Sequence, residues 1–248
     1  MRKLKKNNQM NNLDNPNNIE HYRETSKIGL ELFVHNLKDN SFKDAVSELI
    51  YNLQTKLNDE ISEFLEYQEW DENTNQNYHL DTYYMEDKLL ALSEMNVVYS
   101  YKDFEINIKK LVGASYGIDT KEFYRWNIIT DFLKSKNIKY TELKGYEEIN
   151  QLRKVNNSIK HATKGIDKEI KNISEFSELN YMRHYELSDF FNRIKEFPNK
   201  FLDALSSEIY KNLYDFDNDR LKNIAELYAK RMDKETAYKF IEELKKIY

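Results

Sequence analysis

The segment FKDAVSELIYNLQTKLNDEISEF, residues 42–64, carries an apolar side chain at every third or fourth position. Those positions are Phe42, Val46, Leu49, Leu53, Leu57, Ile61 and Phe64. Because an α-helix has about 3.6 residues per turn, this spacing gathers the apolar side chains into one stripe that a core can cover. The opposite face is acidic. The segment therefore predicts a long amphipathic helix with one buried side.

The same spacing recurs on both sides of this segment. It predicts further helices from residue 19 and across residues 80–112, 123–132, 146–165, 181–196 and 217–248. Asp119 or Thr120 is expected to cap the helix that carries Phe123, and Pro198 to open the helix that follows residue 196. Residues 71–79 are polar without a helical period, and this pattern predicts a connection.

Composition favours helices as well. The chain has 248 residues with only 5 glycines and 2 prolines, which argues against turn-rich sandwiches and barrels. Its 19 tyrosines and 13 phenylalanines supply large apolar faces for a core. We therefore expect an all-α fold. Its predicted parts are an asparagine-rich basic tail without structure at 1–18, a helical bundle at 19–214 and a small C-terminal helical hairpin at 215–248.

Charge and residue usage limit the possible partners. The net charge of -5 gives no overall attraction to nucleic acid, so binding to RNA would need a local cationic patch. The chain has no cysteine, no apolar start typical of a signal peptide and no run able to span a bilayer, which fits a cytoplasmic protein that has no contact with membrane. No glycine-rich phosphate loop or dinucleotide fingerprint is present, so we expect no cofactor.

Residues 152–161, LRKVNNSIKH, group a histidine with cations and amides. On a helix, steps of four residues place Arg153, Asn157 and His161 along one side, with Lys160 and Lys164 beside it. Such a side can meet a phosphate. The alternative is a structural role. Asn157 and His161 would form hydrogen bonds with buried polar groups where the helix packs, and Lys160 and Lys164 would interact favourably with the helix dipole at its C-terminus.

RNA cleavage through the 2′-hydroxyl explains why such residues would be grouped. The reaction needs a base for the hydroxyl proton, an acid for the leaving 5′-oxygen, and cations for the charge on phosphorus. Histidine titrates near neutrality, so His161 can act as the acid or base, while Arg153 and Lys160 hold the phosphate and Asn157 orients the imidazole or the ribose. No metal ion is needed.

The order of these residues resembles the HEPN superfamily. The resemblance covers residues 80–201: a helix with YSYKDFEINIK at 99–109, then Gly145 and the helix after it, then Arg153 and Asn-Asn-x-x-Lys-His at 156–161. It implies an up-and-down helical bundle with additional N- and C-terminal helices, often dimeric. HEPN proteins occur in toxin–antitoxin, abortive-infection and CRISPR-linked antiphage defence systems, and many are metal-independent endoribonucleases. By the same resemblance, Glu105 would pair with a cation of the motif.

The spacing of the motif departs from that family. HEPN proteins place four to six residues between arginine and histidine, whereas seven separate Arg153 from His161, and Asn156 stands where the shortest spacing has arginine. Either Arg153 replaces the family arginine from one turn further back, with Asn156 beside the substrate, or the catalytic cation is missing. The backbone separation of Arg153 and His161 is ~12 Å, and a homodimer that apposes two such helices would relieve it.

Two functions follow from these patterns. The first is a metal-independent endoribonuclease that works as a homodimer with His161 and Arg153 in the cleft. The second is a non-catalytic adaptor or regulatory subunit that binds a partner protein, such as an antitoxin. A cationic cleft favours the first function. An apolar patch over Trp70 or the C-terminal hairpin, with His161 buried and hydrogen bonded, favours the second.

One stretch imitates a calcium loop. Acidic residues alternate from Asp215, and Glu226 follows at the spacing of the last ligand. The sixth position, where the sharp turn needs glycine, is Arg220. We therefore interpret Asp217 as the cap of the next helix, and we expect no metal site.

Overall fold

The computed structural model describes residues 16–36, 41–66, 72–161 and 166–247 of the chain. Every regular element in these residues is helical, which confirms the predicted all-α helical bundle. The α-helices are α1 (Pro16–Asn36), α2 (Ser41–Glu66), α3 (Glu72–Tyr116), α4 (Trp126–Ser135), α5 (Tyr146–His161), α6 (His184–Ile194), α7 (Phe197–Tyr214), α8 (Asn218–Ala229) and α9 (Lys234–Ile247). Short 3-10 turns occupy Thr120–Glu122, Tyr140–Glu142 and Ser174–Phe176.

Two compact units make up the chain. One is residues 36–205, and the other combines residues 1–35 with residues 206–248. The predicted domains at 19–214 and 215–248 have boundaries that differ from those of the compact units. Whether either predicted domain folds on its own stays a prediction. Of the predicted tail at 1–18, only residues 16–18 are described, and they form the first turn of α1.

In the larger unit, the long helix α3 packs against α2, α5 and α6. The stripe predicted on α2 meets α3, where Leu57 of α2 is fully buried with Met85 and Leu89. Further along, the rings of Phe64 and Tyr78 stack with centroids 3.7 Å apart. The amphipathic helix predicted from residues 42–64 is therefore present, and α3 covers the part of its apolar side that holds Leu53, Leu57 and Ile61. Leu49 of the predicted stripe is 54% exposed, so the stripe is not buried along its whole length.

Aromatic rings fill the core of the larger unit. Phe104 of α3 is 1% exposed, and its ring centroid lies 6.0 Å from that of Trp126 and 5.8 Å from that of Phe201. Phe176 and Phe190 form a second fully buried pair, with centroids 5.4 Å apart. The first set of contacts joins α3, α4 and α7, and the second joins the turn at Ser174–Phe176 to α6. Burial of apolar surface is the main favourable term in folding.

The connection predicted at residues 71–79 is wrong, because α3 begins at Glu72. Polar residues without a helical period can still extend a helix, since adding a residue to an existing helix is far easier than starting one. The stack of Tyr78 on Phe64 gives this first part of α3 a tertiary contact.

The predicted helix through Phe123 is also interrupted. The Asp119 side chain accepts a hydrogen bond from the Lys121 amide at 3.0 Å, so it caps only the 3-10 turn, and α4 starts at Trp126. A continuous helix would hold Phe123 and Phe132 ~14 Å apart. In the folded chain their ring centroids are 5.5 Å apart, with Phe123 buried. The break allows this contact.

Two helix ends have residues in the left-handed region. After α3, Gly117 has φ 67° and the Ile118 amide donates to the Gly113 carbonyl at 2.9 Å. After α4, Asn137 has φ 58° and the Ile138 amide donates to the Leu133 carbonyl at 3.0 Å. Both patterns are Schellman motifs, which satisfy carbonyls at the helix end.

Gly145 fixes the start of α5. It has φ 91°, and its carbonyl accepts a hydrogen bond from the Ile149 amide at 3.0 Å. A β-carbon added here would lie 3.1 Å from the Phe197 carbonyl oxygen and 3.4 Å from Phe201. The close approach of α7 and the positive φ both require glycine at this turn.

Gly145→Ala is expected to lower the free energy of unfolding by about 2–3 kcal/mol, because it adds a contact with backbone to the strain of a positive φ. Gly117→Ala is the matched control: φ is also positive, but no atom lies within 4 Å of the added β-carbon. The control should cost about 1 kcal/mol. Urea denaturation measures both values, and equal losses would show that the contact with α7 contributes nothing.

In the smaller unit, Arg220 covers the end of α7. Its guanidinium donates to the carbonyls of Lys211 at 3.1 Å, Asn212 and Asp215, and it lies 4.1 Å from the Phe216 ring centroid. The Asp217 carboxylate accepts from the Arg220 amide at 2.7 Å, which confirms Asp217 as the cap of α8. Cations are favourable at a helix C-terminus and carboxylates at an N-terminus. Pro198 lies in the first turn of α7, as predicted.

Candidate functional site

Helix α5 carries the predicted site and begins at Tyr146, as expected. Its inner side buries Ile149, Leu152 and Val155 completely, and the helix packs against α3 and α6. Acidic residues occupy its first turn and basic residues its last, in agreement with the helix dipole. The predicted end at residue 165 lies outside the described residues.

A polar contact fixes α5 against α6. The Arg193 guanidinium donates to Gln151 of α5 at 3.0 Å and to Glu175 at 2.6 and 3.1 Å. Burial opposes ionisation of Glu175, but hydrogen bonds from Arg193 and Ser174 outweigh it, so the pKa of this carboxyl is lowered. Because the carboxylate stays charged, the link that holds α5 in place persists at neutral pH.

Arg153 is half-buried, and its cation has little compensation. One guanidinium Nη donates to Asn150 Oδ1 at 3.1 Å, while Nε is buried without a hydrogen-bond partner among the described residues. Among those residues, the ion pairs of the structure do not include Arg153. An unpaired buried donor on a charged group costs free energy that an incoming acceptor can recover.

Two tyrosine hydroxyls lie in the electrostatic field of Arg153. Burial, together with the charge of Glu105, raises the pKa of Tyr101 to about 12, although Arg153 acts in the opposite direction. Burial also raises the pKa of Tyr146, again against the effect of Arg153. Both hydroxyls therefore keep their protons at neutral pH and can act as hydrogen-bond donors.

Asn156 is 1% exposed, and its amide donates to Asn157 Oδ1 at 3.1 Å. Its own Oδ1 and the Ser158 hydroxyl are buried without a partner among the described residues. Asn156 is thus placed behind Asn157, and through this bond it can orient the Asn157 side chain.

Asn157, Lys160 and His161 are exposed. Arg153, Asn157 and His161 follow one another at helical steps of four, so α5 presents them along one side as predicted. Lys164 lies outside the described residues. The burial of His161 that the adaptor reading expected does not occur.

Glu105 forms an ion pair with Lys109 at 2.8 Å, one turn further along α3. Its charge also contributes to the raised pKa of Tyr101. Among the described residues, the ion pair of Glu105 is therefore with a lysine of its own helix and not with a cation of the motif.

A second polar site was not predicted from the sequence. His184 at the start of α6 is 5% exposed, and its Nε2 is buried without a partner among the described residues. It lines a cavity of about 420 Å³ between α3 and the chain that enters α6. Burial lowers the pKa of His184, against the smaller opposing effects of Glu86 and Glu186.

The lowered pKa of His184 predicts a pH dependence of stability. Below the ordinary histidine pKa, the His184 side chain binds a proton more readily in the unfolded chain than in the folded chain. The free energy of unfolding is therefore highest above that pKa and decreases as pH falls. We expect His184→Phe to reduce the loss between pH 7.5 and 5.5, measured by urea denaturation. His35→Phe, on the exposed last turn of α1, should keep the wild-type slope. Identical slopes in all three proteins would contradict the assignment.

Among the described residues, no group of three or more histidine, aspartate or glutamate side chains is arranged to hold a metal ion. None of the described helices combines the length and apolarity that a membrane span needs.

Comparisons with protein-family models, with curated proteins and with solved structures gave no match.

Proposed function

We propose that the protein binds RNA along α5 and cleaves it as a metal-independent, HEPN-like endoribonuclease. The observation that carries this proposal is the half-buried cation of Arg153, which lacks a carboxylate partner among the described residues. Arg153 lies on the same side of α5 as the exposed His161. The resemblance to HEPN proteins supports the further proposal that this activity serves a bacterial defence or toxin-type system.

Arg153 supplies the anchor for a phosphate. Its planar guanidinium matches phosphate oxygens, and the bond is strengthened by charge on both partners. The protonated hydroxyls of Tyr101 and Tyr146, whose pKa values are affected by the charge of Arg153, are further neutral donors. Exposed Asn157 and Lys160 extend the same side toward the next nucleotide.

His161 supplies the proton transfers. In the proposed reaction, a base takes the proton of the 2′-hydroxyl, the 2′-oxygen bonds to phosphorus, and the 5′-oxygen leaves with a proton from an acid. The products are a 2′,3′-cyclic phosphate and a 5′-hydroxyl. Arg153 and His161 of one chain are ~12 Å apart along α5, so one site combines Arg153 of one copy with His161 of a second copy.

Incubation of the wild-type protein with single-stranded and structured RNA in EDTA tests this function. The expected result is cleavage with cyclic phosphate and 5′-hydroxyl ends. Cleavage that stops in EDTA and returns with magnesium would contradict a metal-independent mechanism. Intact RNA with a folded protein would exclude unassisted catalysis.

A second candidate function is a non-catalytic adaptor, and the C-terminal helices favour it. In α8 and α9 no residue is buried, and large apolar side chains are exposed by 42–59%. They are Leu221, Leu227, Tyr228, Tyr238, Phe240, Ile241, Leu244 and Ile247. Exposed apolar surface of this extent is typical of interaction sites. Sedimentation of wild type and of a Phe240→Asp, Leu244→Asp variant tests whether this surface holds an assembly together.

A further inference from the structure

The cavity beside His184 is separate from the α5 site. It has a volume of about 420 Å³, and its lining includes Tyr83, Glu86, Asp87, Tyr181, His184 and Tyr185. These residues come from the first half of α3 and from the chain that enters α6, all within the larger unit. The volume is within the usual range of small-molecule sites.

The lining is negatively charged. Glu86 and Asp87 are exposed, and among the described residues neither has an ion pair in the structure. Arg183 is the cation of the cavity, but its guanidinium is bound by the Glu186 carboxylate. The charge of Arg183 is therefore already balanced, and two carboxylates remain for a ligand.

Three tyrosines line the same cavity as these carboxylates. Tyr83, Tyr181 and Tyr185 are exposed by 63%, 66% and 49%, although each has a large apolar ring. Ring faces attract cations through the negative side of their quadrupole, and they also cover hydrocarbon. Three such rings beside two carboxylates favour a cation that carries carbon over a bare metal ion.

His184 adds an independent observation. Its side chain lines the cavity and is 5% exposed, and Nε2 has no hydrogen-bond partner among the described residues. Its ring centroid lies 3.8 Å from that of Tyr185, and the charged groups that act on the imidazole are Glu86 of α3 and Glu186 of its own helix. In the tautomer that has its proton on Nδ1, Nε2 accepts a hydrogen bond, so an N–H donor in the cavity would remove the cost of leaving it unpaired.

We propose that this cavity binds an organic cation with N–H donors on a short hydrocarbon stem. Primary ammonium and guanidinium groups have this chemistry, and either a free polyamine or a lysine or arginine side chain of a peptide can supply it. The carboxylates of Glu86 and Asp87 balance the charge, the tyrosine rings cover the stem, and an N–H of the cation bonds to His184. This inference does not rest on the proposed ribonuclease.

Titration of the isotope-labelled full chain with 1,5-diaminopentane, followed by amide chemical shifts and calorimetry, tests the site. Saturable shifts should appear at residues 83–90 and 181–185. The neutral analogue 1,5-pentanediol should not bind. Equal binding of the diol, shifts confined to other residues, or no binding of the diamine would overturn the proposal.

Matched variants separate charge from general surface effects. Glu86→Gln with Asp87→Asn should weaken diamine binding about tenfold or more, because both balancing charges are lost. Asp81→Asn removes an exposed carboxylate of the same helix that does not line the cavity, and it should bind as wild type. Tyr181→Leu should weaken binding by loss of one ring face. Unchanged affinity in the double variant would overturn the site.

The source of the cation is decided by two further probes. Spermidine represents the free polyamine. Nα-acetyl-lysine amide, which keeps its ε-ammonium group, represents a lysine side chain of a peptide. Tighter binding of spermidine than of the lysine amide assigns the cavity to polyamines, and the reverse order assigns it to peptides. If neither probe competes with the diamine, the proposed ligand class is wrong.

Discussion

His161→Ala is expected to lower the rate of RNA cleavage by about 10²–10⁴-fold, because that is the usual contribution of a general acid or base. The side chain is exposed at the last described turn of α5, so its removal should leave the fold intact. Initial rates on a labelled single-stranded RNA, with circular dichroism as the check on folding, give the measurement.

His35→Ala is the matched control for this variant. His35 is also an exposed histidine in the last turn of a helix, and it belongs to the smaller unit. It should cleave at the wild-type rate. If His161→Ala were as active as His35→Ala, the catalytic role of His161 would be excluded.

Phe104→Ala is expected to lower the free energy of unfolding by about 3–5 kcal/mol, the usual cost of truncating a buried phenylalanine. Phe104 is 1% exposed, and its ring lies against those of Tyr101, Trp126 and Phe201. Truncation leaves a cavity where α3, α4 and α7 meet. Urea denaturation followed by circular dichroism measures the loss.

Phe216→Ala provides the comparison for Phe104→Ala. The same side chain is removed, but Phe216 is 50% exposed and its ring contacts the Arg220 guanidinium. Its loss should cost about 1 kcal/mol or less. Similar losses in the two variants would contradict the account of a core centred on α3.

The helices with a clear apolar period could be predicted from the sequence. The stripe of residues 42–64 predicted α2, and the start of α5 followed from the change of pattern at Gly145. The start of α3 could not be predicted, because residues 72–79 are polar and are helical as an extension of a longer helix. The break at residues 123–125 goes with a contact between Phe123 and Phe132, which no local pattern predicts.

The candidate site was predictable only where it depends on one helix. Helical steps of four place Arg153, Asn157 and His161 on one side of α5. The burial of Asn156 and the nearness of Tyr101 depend on how α3 packs against α5, and Tyr101 has the spacing of a core residue.

The cavity beside His184 carries no sequence signal. His184 is one of 5 histidines in the chain and has no motif around it. Its burial and its neighbours come from two segments about one hundred residues apart, which only the fold brings together. The spacing of apolar residues in α9 predicts a helix with an apolar side, but it cannot show whether that side is exposed or buried.

The central claim is that a shared site on α5 cleaves RNA, with Arg153 from one copy and His161 from the other. Mixing Arg153→Ala with His161→Ala subunits, after co-refolding or co-expression, tests this claim most directly. Random pairing makes about half of the dimers mixed, each with one intact site of two, so about a quarter of the wild-type activity should return. A mixture no more active than either variant alone would contradict the shared site.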